Sequence, residues 1–314
     1  MKYGSHYSVM KKDILDVLSR DFSDQESLTF ADLTFGAGGH TRAIAELFKD
    51  SSVYSFDQDP DAISNGEKFL EKEGLLDQVK LIDSNFNNFS NMLAAELRFD
   101  GVLLDAGVSS HQFDTGERGF SFRFDGPLDM RMNPNAGVPA ADLLNGMSEE
   151  ELRGIFQSYG EEKFSRQIAK SIVERREVEP FTTTKQLEDT CFHAYPKKLR
   201  HGKIHPATKV FQALRIMVND ELGVLGDVIR QVIPRLKVNG LLMIITFHSL
   251  EDRIVKHAFK EWKNESFPIE ILTKKPLLPS AEEIFENSRS RSAKLRVIRR
   301  VKDWPSKNKY PKKE

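Results

Sequence analysis

The chain has 314 residues and a formal net charge of −1, because its 46 basic residues are balanced by 47 acidic ones. That length suits one large domain or two modest ones, and no apolar run approaches the roughly 18 residues of a membrane span or the apolar segment of a signal peptide. Cys191 is the single cysteine, which excludes a disulfide framework and a cysteine metal site, so we expect a soluble protein of the reducing cytoplasm, without membrane contact.

A leading helix is predicted over residues 7–20, and an apolar run at 28–33 predicts the first strand. The segment from Asp32 to His40 (DLTFGAGGH) then leads into an amphipathic helix over 41–48. Glycines allow positive φ and a close approach of the backbone to a ligand, and a helix start offers free N–H groups. A strand, a glycine-rich turn and a helix in this order favour a nucleotide-type binding loop, although an ordinary glycine turn has the same pattern.

A second strand at 52–57 ends in Asp57, where a carboxylate is placed to accept hydrogen bonds from ribose hydroxyls. The loop spacing then selects among adenosine cofactors. A dinucleotide site requires G-x-G-x-x-G, but Thr41 stands at the position of the third glycine. The pattern fits S-adenosyl-L-methionine better, since that cofactor has no pyrophosphate. A nicotinamide oxidoreductase is the alternative enzyme class.

Helices and strands continue to alternate, as helix 61–73, strand 79–83, helix 88–97 and strand 100–105. This alternation predicts a parallel sheet with right-handed crossovers, in which ligands bind at the carboxyl ends of strands near the topological switch point. Asp57, Asn85–Phe86 and Asp105 all fall at such strand ends. We therefore expect them to share one pocket.

After Gly107 the strand pattern stops. Residues 111–140 predict an ordered loop, and four helical patterns follow, at the capping box Ser148-x-x-Glu151, at Phe164 to Ile172, after Thr182 and at 207–218. The sheet pattern resumes after residue 220, with a helix to Leu236, a turn at 238–240 and strands at 241–247, 269–272 and 295–298. The predicted core therefore has two parts, at 1–112 and 220–301. An all-helical insert at 113–219 separates them, and a basic tail follows at 302–314.

Charge is unevenly distributed despite the neutral total. Residues 190–219 contain six Lys or Arg residues and three histidines but no acid, which favours contact with a polyanion such as nucleic acid. Residues 289–314 hold eleven basic residues against two acidic ones. For the end of this segment, 304–314, a solvated lysine-rich tail is the preferred interpretation.

Two strand ends carry candidate catalytic groups. Asp105 is followed by Ala106-Gly107 rather than by the Pro-Pro-aromatic run of many amino-group methyltransferases, so a simple turn-capping acid is its alternative role. The strand at 241–247 runs into His248, whose neighbours do not form a nucleophile elbow. The spacing of His193, His201 and His205 is not that of a zinc helix, and no metal is expected.

Aromatic residues are interleaved with arginines in the long loop, at Phe113, Arg118, Phe120, Phe122, Arg123 and Phe124. Such rings stack nucleic-acid bases or pin a loop, and the pattern leaves both roles open.

Together these segments resemble the bacterial 16S ribosomal RNA cytosine-N4 methyltransferases of the MraW type. The matching runs, in order, are Asp32 to His40, Phe56 to Pro60, Leu103 to Ser110, Glu117 to Phe122, Asp125 to Met132, Tyr159 to Phe164, His205 to Thr208, Phe211 to Ile216, Phe247 to Arg253 and Arg289 to Arg296. The resemblance spans the chain from His6 to about Arg300. It departs from the family at Ser288, where proline is frequent, and within Phe35 to Ala37.

The resemblance implies a Rossmann-like class I methyltransferase core, with a mostly parallel sheet and an inserted all-helical subdomain that recognises the substrate. It implies methyl transfer from S-adenosyl-L-methionine to N4 of a cytidine in the decoding region of 16S rRNA, within the small ribosomal subunit. It places the cofactor against Gly38, Gly39, His40, Asp57, Phe86, Asp105 and Gln112. The oligomeric state stays open between monomer and homodimer.

Methyl transfer from a sulfonium is an in-line displacement, so neither a metal nor a covalent nucleophile is required. The lone pair of cytosine N4 is delocalised into the ring, and a hydrogen-bond acceptor on the amine would localise it. Asp105 is the first candidate for that role, and His248 is the second. Methylation at C5 would need a cysteine, and Cys191 lies in the helical insert, far from any strand end. A non-catalytic RNA-binding module is the remaining alternative.

Overall fold

A computed structural model describes residues 8–264 and 267–303. The chain divides into two compact units, a core unit of Met1–Gly107 with Leu222–Glu314 and an inserted unit of Val108–Glu221. The sequence placed the insert at 113–219, slightly inside these limits. Most of the predicted basic tail, at 304–314, lies outside the described residues.

The described part of the core unit holds a seven-stranded sheet in the order β3-β2-β1-β4-β5-β7-β6. The strands are β1 Thr29–Asp32, β2 Ser52–Asp57, β3 Val79–Asp83, β4 Phe99–Asp105, β5 Leu236–Thr246, β6 Ile269–Ile271 and β7 Lys294–Arg300. The pairs among β1 to β5 are parallel, whereas β7 runs antiparallel to both β5 and β6. The predicted, mostly parallel α/β core is confirmed, and its switch point lies between β1 and β4.

In chain order the helices are α1 Lys11–Phe22, α2 Gly39–Leu47, α3 Pro60–Glu73, α4 Phe89–Met92, α5 Ser110–Asp114, α6 Ala140–Gly146, α7 Glu149–Ser158, α8 Ser165–Arg176, α9 Thr184–Ala194, α10 Thr208–Asn219, α11 Glu221–Val232, α12 Ser249–Asn264 and α13 Ala281–Glu286. In the described ranges, none of these helices is both long enough and apolar enough to cross a bilayer.

Both faces of the central strands β4 and β5 are buried, which is why residues 102–104 and 241–245 are continuous apolar runs. Successive residues of a strand point to opposite faces. Val102 and Leu104 accordingly belong to one apolar cluster of the core unit, and Leu103 belongs to the other. The central strand β4 is buried along its length except at its last residue, Asp105.

The path into β5 differs from the prediction. The preceding helix ends at Val232, and β5 begins at Leu236, so the strand runs through the predicted turn at 238–240. Its pairing jumps from Phe99↔Leu236 to Gly101↔Leu241, which makes the predicted turn a bulge. A Cβ on Gly240 would lie 2.7 Å from the Phe99 carbonyl oxygen, so the bulge depends on a glycine.

The predicted helix at 88–97 is also wrong in extent, because α4 ends at Met92. The Arg235 guanidinium donates hydrogen bonds to the carbonyl oxygens of Ala94 and Leu97. The buried Arg235 thus satisfies carbonyl groups of a segment that forms a loop instead of the predicted helix.

The described residues of the inserted unit contain helices and no strand longer than an isolated bridge. The capping boxes at Ser148 and at Thr183 are both formed, each with an acceptor side chain three residues later. The predicted helix at 207–218 is observed as α10. This unit has its own apolar cluster, in which Leu152, Phe156 and Leu214 are fully buried.

Candidate active site

The glycine-rich turn connects β1 to α2 at the switch point of the sheet. Gly36 and Gly38 both have positive φ, of 54° and 77°, which glycine adopts without strain. Gly38 is the N-cap of α2 and provides no side-chain hydrogen bond to the helix start. The first N–H groups of α2 therefore remain available to an anionic group of a ligand.

The protein's own packing also favours glycine at positions 38 and 39. A Cβ on Gly38 would lie 2.8 Å from atoms of Phe35 and Phe69, and a Cβ on Gly39 would lie 2.0 Å from Ser8 Oγ. Room for a ligand is thus not the only reason for glycine at these positions. The N-terminal segment itself lies against Gly39.

Asp57, at the end of β2, is tied to the glycine-rich turn. Its Oδ2 accepts a hydrogen bond from Gly36 N at 2.8 Å, and its Oδ1 accepts one from Asp59 N at 2.9 Å. Burial raises the pKa of Asp57 to about 6, against the lowering effect of these two hydrogen bonds. Each carboxylate oxygen has a second lone pair, so the group keeps capacity for ligand hydroxyls. Phe86, half-buried, follows the neighbouring strand β3.

His40 and Asp105 meet at the carboxyl ends of β1 and β4. Asp105 is oriented by its backbone N–H, which donates to Thr34 Oγ1 at 2.9 Å. His40 Nε2 lies 3.6 Å from Asp105 Oδ2. His40 Nε2 and Asp105 Oδ1 are both buried without a hydrogen-bond partner among the described residues. Buried polar atoms are seldom left unsatisfied, and two of them side by side indicate a ligand site.

Asp32 is a member of this site that the sequence did not single out. It is fully buried at the end of β1, and its Oδ2 accepts a hydrogen bond from Thr41 Oγ1 at 2.7 Å. Burial raises the pKa of Asp32 to about 6, while the charge of His40 lowers it and that of Asp105 raises it. The only signal in the sequence was its position between the first strand and the glycines.

His248, the second catalytic candidate, follows β5 and is held by the first turn of α12. Its Nδ1 accepts a hydrogen bond from Glu251 N at 3.4 Å. Its Nε2 lies 3.1 Å from Glu251 Oε1 without the geometry of a hydrogen bond. Glu251 is itself buried and accepts a hydrogen bond from Phe247 N.

Gln112 belongs to the inserted unit, unlike the other cofactor candidates. It is buried in α5, where its Oε1 accepts a hydrogen bond from Ser109 N at 3.0 Å and its backbone N–H donates to Ser109 Oγ at 3.2 Å. The core unit brings together the remaining candidates at adjacent strand ends: Gly38, Gly39, His40, Asp57, Phe86 and Asp105.

The inserted unit also contains Cys191 and the acid-free basic segment. Cys191 is fully buried, and burial raises the pKa of its thiol, which makes it a poor nucleophile. Residues 196–204 form an exposed segment that includes Lys197, Lys198 and Lys203.

This basic segment is ordered by its arginine. Arg200 Nε donates to the Tyr195 carbonyl at 3.0 Å, and its Nη2 donates to the His193 carbonyl at 2.7 Å. His205 stacks on Phe122 with ring centroids 4.8 Å apart. Of the two roles left open for the loop aromatics, Phe122 thus has the pinning role.

Known proteins resemble this chain over nearly its whole length. Residues 4–301 match the MraW methylase family. The ribosomal RNA small subunit methyltransferase H of Sulfurihydrogenibium sp. is 45% identical over 299 residues, which cover 94% of this chain and 99% of that protein. The protein of the same name from Picosynechococcus sp. is 45% identical over 294 residues, covering 93% and 95%. The chain therefore belongs to the MraW methylase family.

Proposed function

We propose that this methylase transfers a methyl group from S-adenosyl-L-methionine to the exocyclic N4 of a cytidine in the decoding region of 16S rRNA. The family and the names of its relatives support methylation of small-subunit rRNA. One observation carries the proposal for this chain: unpartnered atoms of His40 and Asp105 lie at the switch point, beside a helix start without a side-chain cap. Ligands of open α/β sheets bind at such points.

The core unit offers groups that suit each part of this cofactor. The N–H groups at the start of α2 fit the methionine carboxylate, and Asp57 fits the ribose hydroxyls. Phe86 offers an apolar surface to the adenine. When bound, the cofactor supplies a methyl group already activated by a sulfonium.

A nicotinamide dinucleotide fits the same turn poorly. The third glycine of its fingerprint lets helix and strand approach closely. Here that position is Thr41, whose buried hydroxyl donates to Asp32 and lies 2.8 Å from Ser55 Oγ. Helix α2 is therefore held to the sheet by a polar contact, and the turn lacks the pyrophosphate pattern.

The chemical role of the protein is to position the acceptor amine and to draw its lone pair out of the ring. We assign this role first to Asp105, because its unpartnered Oδ1 would accept a hydrogen bond from N4–H. Holding the two reactants in line supplies about 7–11 kcal/mol of barrier reduction in well-oriented systems. His248 remains the second candidate, although Glu251 N already occupies its Nδ1.

The proposed partner is 16S rRNA, as part of the small subunit, and the proposed location is the cytoplasm, where that RNA is assembled. The inserted unit supports this partner through its exposed lysines at 197, 198 and 203, since phosphate contacts supply most of the non-specific affinity for nucleic acid. We assign substrate recognition to this unit, within the limits 113–219 that the sequence predicts for the insert.

Mass spectrometry of 16S rRNA from cells that lack this protein tests the proposal. We expect one cytidine of the decoding region to lose an N4-methyl group, and purified protein with labelled S-adenosyl-L-methionine to restore it. An unchanged methylation pattern, or a methyl group lost from a carbon atom or from another base, would refute the assignment to cytidine N4.

A further inference from the structure

Ser8, two residues before Met10, lies against Gly39, where the glycine-rich turn ends and α2 begins. Ser8 Oγ is 2.0 Å from the position that a Cβ on Gly39 would take, so the serine side chain fills the space above this glycine. Met10 is fully buried, has a positive φ of 53° and precedes α1 without capping it through its side chain. A non-glycine residue in this conformation is uncommon, and contacts elsewhere must hold it.

One such contact comes from the far end of the chain. Glu283, in α13, is 6% exposed, and its Oε1 accepts a hydrogen bond from Met10 N at 2.6 Å across 273 residues. A hydrogen bond from a backbone N–H to a carboxylate is stronger than one between neutral groups. Glu283 thereby fixes the segment that covers Gly39.

Glu283 also lies within electrostatic reach of the two unpartnered groups. Burial raises the pKa of Glu283, and the Met10 hydrogen bond lowers it. Among smaller influences, the charge of His40 lowers this pKa and that of Asp105 raises it. The Met10–Glu283 contact is therefore close enough to His40 and Asp105 for their charges to act on the Glu283 carboxylate.

We propose that Glu283 is a positioning residue of the cofactor site, whose carboxylate holds residues 8–10 against Gly39 and thereby keeps the start of α2 and the His40 ring in their binding geometry. The ligand concerned is the methionine end of S-adenosyl-L-methionine, so the inference rests on the proposed function. The start of α2 has no side-chain cap of its own, so we expect packing by residues 8–10 to stabilise it.

Three variants distinguish this positioning role from a contribution of Glu283 to overall stability alone. Glu283→Ala removes the hydrogen bond, and Glu283→Gln removes the charge but keeps an oxygen that accepts from Met10 N. Glu282→Ala is the matched control, because Glu282 is the exposed neighbour on the same helix. The measurements are calorimetric affinity for S-adenosyl-L-methionine and for S-adenosylhomocysteine, hydrogen exchange of the Met10 amide, and thermal unfolding.

We expect Glu283→Ala to weaken both affinities by about tenfold and to speed exchange at Met10, since a buried hydrogen bond to a charged group is lost. Glu283→Gln should bind within about threefold of the wild type, because the neutral hydrogen bond that remains still holds the segment. Glu282→Ala should change nothing. Wild-type affinity in Glu283→Ala would overturn the proposal, and so would a Glu283→Gln protein as weak as Glu283→Ala.

Ser8→Gly decides the question if Glu283→Ala does not fold. It removes the contact with Gly39 but leaves the Met10–Glu283 hydrogen bond in place, and we expect about threefold weaker binding, as for a modest contact. Unchanged binding would overturn the proposal. A wild-type protein that binds neither ligand would instead refute the proposed function.

Discussion

Two histidines at the same edge of the sheet differ in how far along the chain their neighbouring groups lie. His248, after β5, receives a hydrogen bond from Glu251 N, only three residues along the chain. His40, at the start of α2, faces Asp105, which comes from another strand. The Nε2 atoms of both histidines are buried beside a carboxylate without a hydrogen bond, but the partner of His248 is local and caps a helix. His40 and Asp105 converge from distant segments, as the groups of a binding site do. The origin of the partners, rather than the residue type, is therefore our ground for proposing a ligand-binding role for His40 and a mainly structural one for His248.

The largest effect is expected for Asp105→Asn. The amide keeps the size of the side chain but cannot accept a proton, so the rate of methyl transfer should fall about 100-fold to 1,000-fold. Single-turnover transfer of labelled methyl to small subunits measures this step. Asp83→Asn, at the exposed end of β3, is the control. A rate within about threefold of the wild type would remove Asp105 from the chemistry.

Asp57→Ala should come next, with S-adenosyl-L-methionine bound about ten to a hundred times more weakly, since hydrogen bonds to charged groups are lost. The substitution also leaves Gly36 N and Asp59 N without their acceptor. Asp57→Asn keeps one acceptor oxygen and should show an intermediate affinity by calorimetry. Unchanged affinity in the alanine variant would exclude Asp57 from the site.

The two histidines are compared directly through His40→Gln and His248→Gln. We expect His40→Gln to weaken cofactor binding about tenfold, and His248→Gln to change it less than about threefold while lowering the free energy of unfolding by about 1 kcal/mol through loss of the helix cap. Calorimetry and urea unfolding measure the two effects. A stable His248→Gln protein without methyl transfer would make His248 the proton acceptor and would contradict a mainly structural role for it.

The smallest effect concerns pH. The folded pKa of Asp32 is about 6, above its ordinary value of 3.8, because the group is buried. The folded protein therefore holds this proton more tightly than the unfolded chain, and the contribution of Asp32 to stability decreases as pH rises from about 4 through 6.

Urea unfolding of the ligand-free wild type and of Asp32→Asn across this range measures the effect. The wild type should lose stability relative to the variant as pH rises. A difference between the two proteins that does not depend on pH would contradict the raised pKa of Asp32.

The strands could be predicted where local pattern decides them. The predicted limits 52–57 and 79–83 are those of β2 and β3, because each is a short stretch of apolar residues interleaved with polar ones that ends in an acid. The predicted helix at 88–97 and the predicted turn at 238–240 were wrong, because contacts with distant segments determine the structure there. Arg235 donates a hydrogen bond to a carbonyl after α4. Pairing with β4 on both sides of residues 238–240 keeps this turn-like sequence within β5.

The candidate site divides in the same way. Gly38, Asp57 and Asp105 were predicted because each stands at a strand end or in the glycine-rich turn, and His40 was predicted through the family resemblance. Glu283 and Ser8 carry no such signal, since their importance depends on contacts between segments that are far apart in the chain. Their roles, and those of the other site residues, remain predictions to be tested.

The last strand of the described residues, β7, has a consequence for biosynthesis. Strand β7 lies between β5 and β6 rather than at the rim of the sheet. Until the ribosome has released residues 294–300, β5 presents an open hydrogen-bonding edge, which is prone to unwanted association. A nascent or truncated chain that stops before this point cannot close its sheet, so premature termination even close to the C-terminus should yield aggregated rather than partly active enzyme.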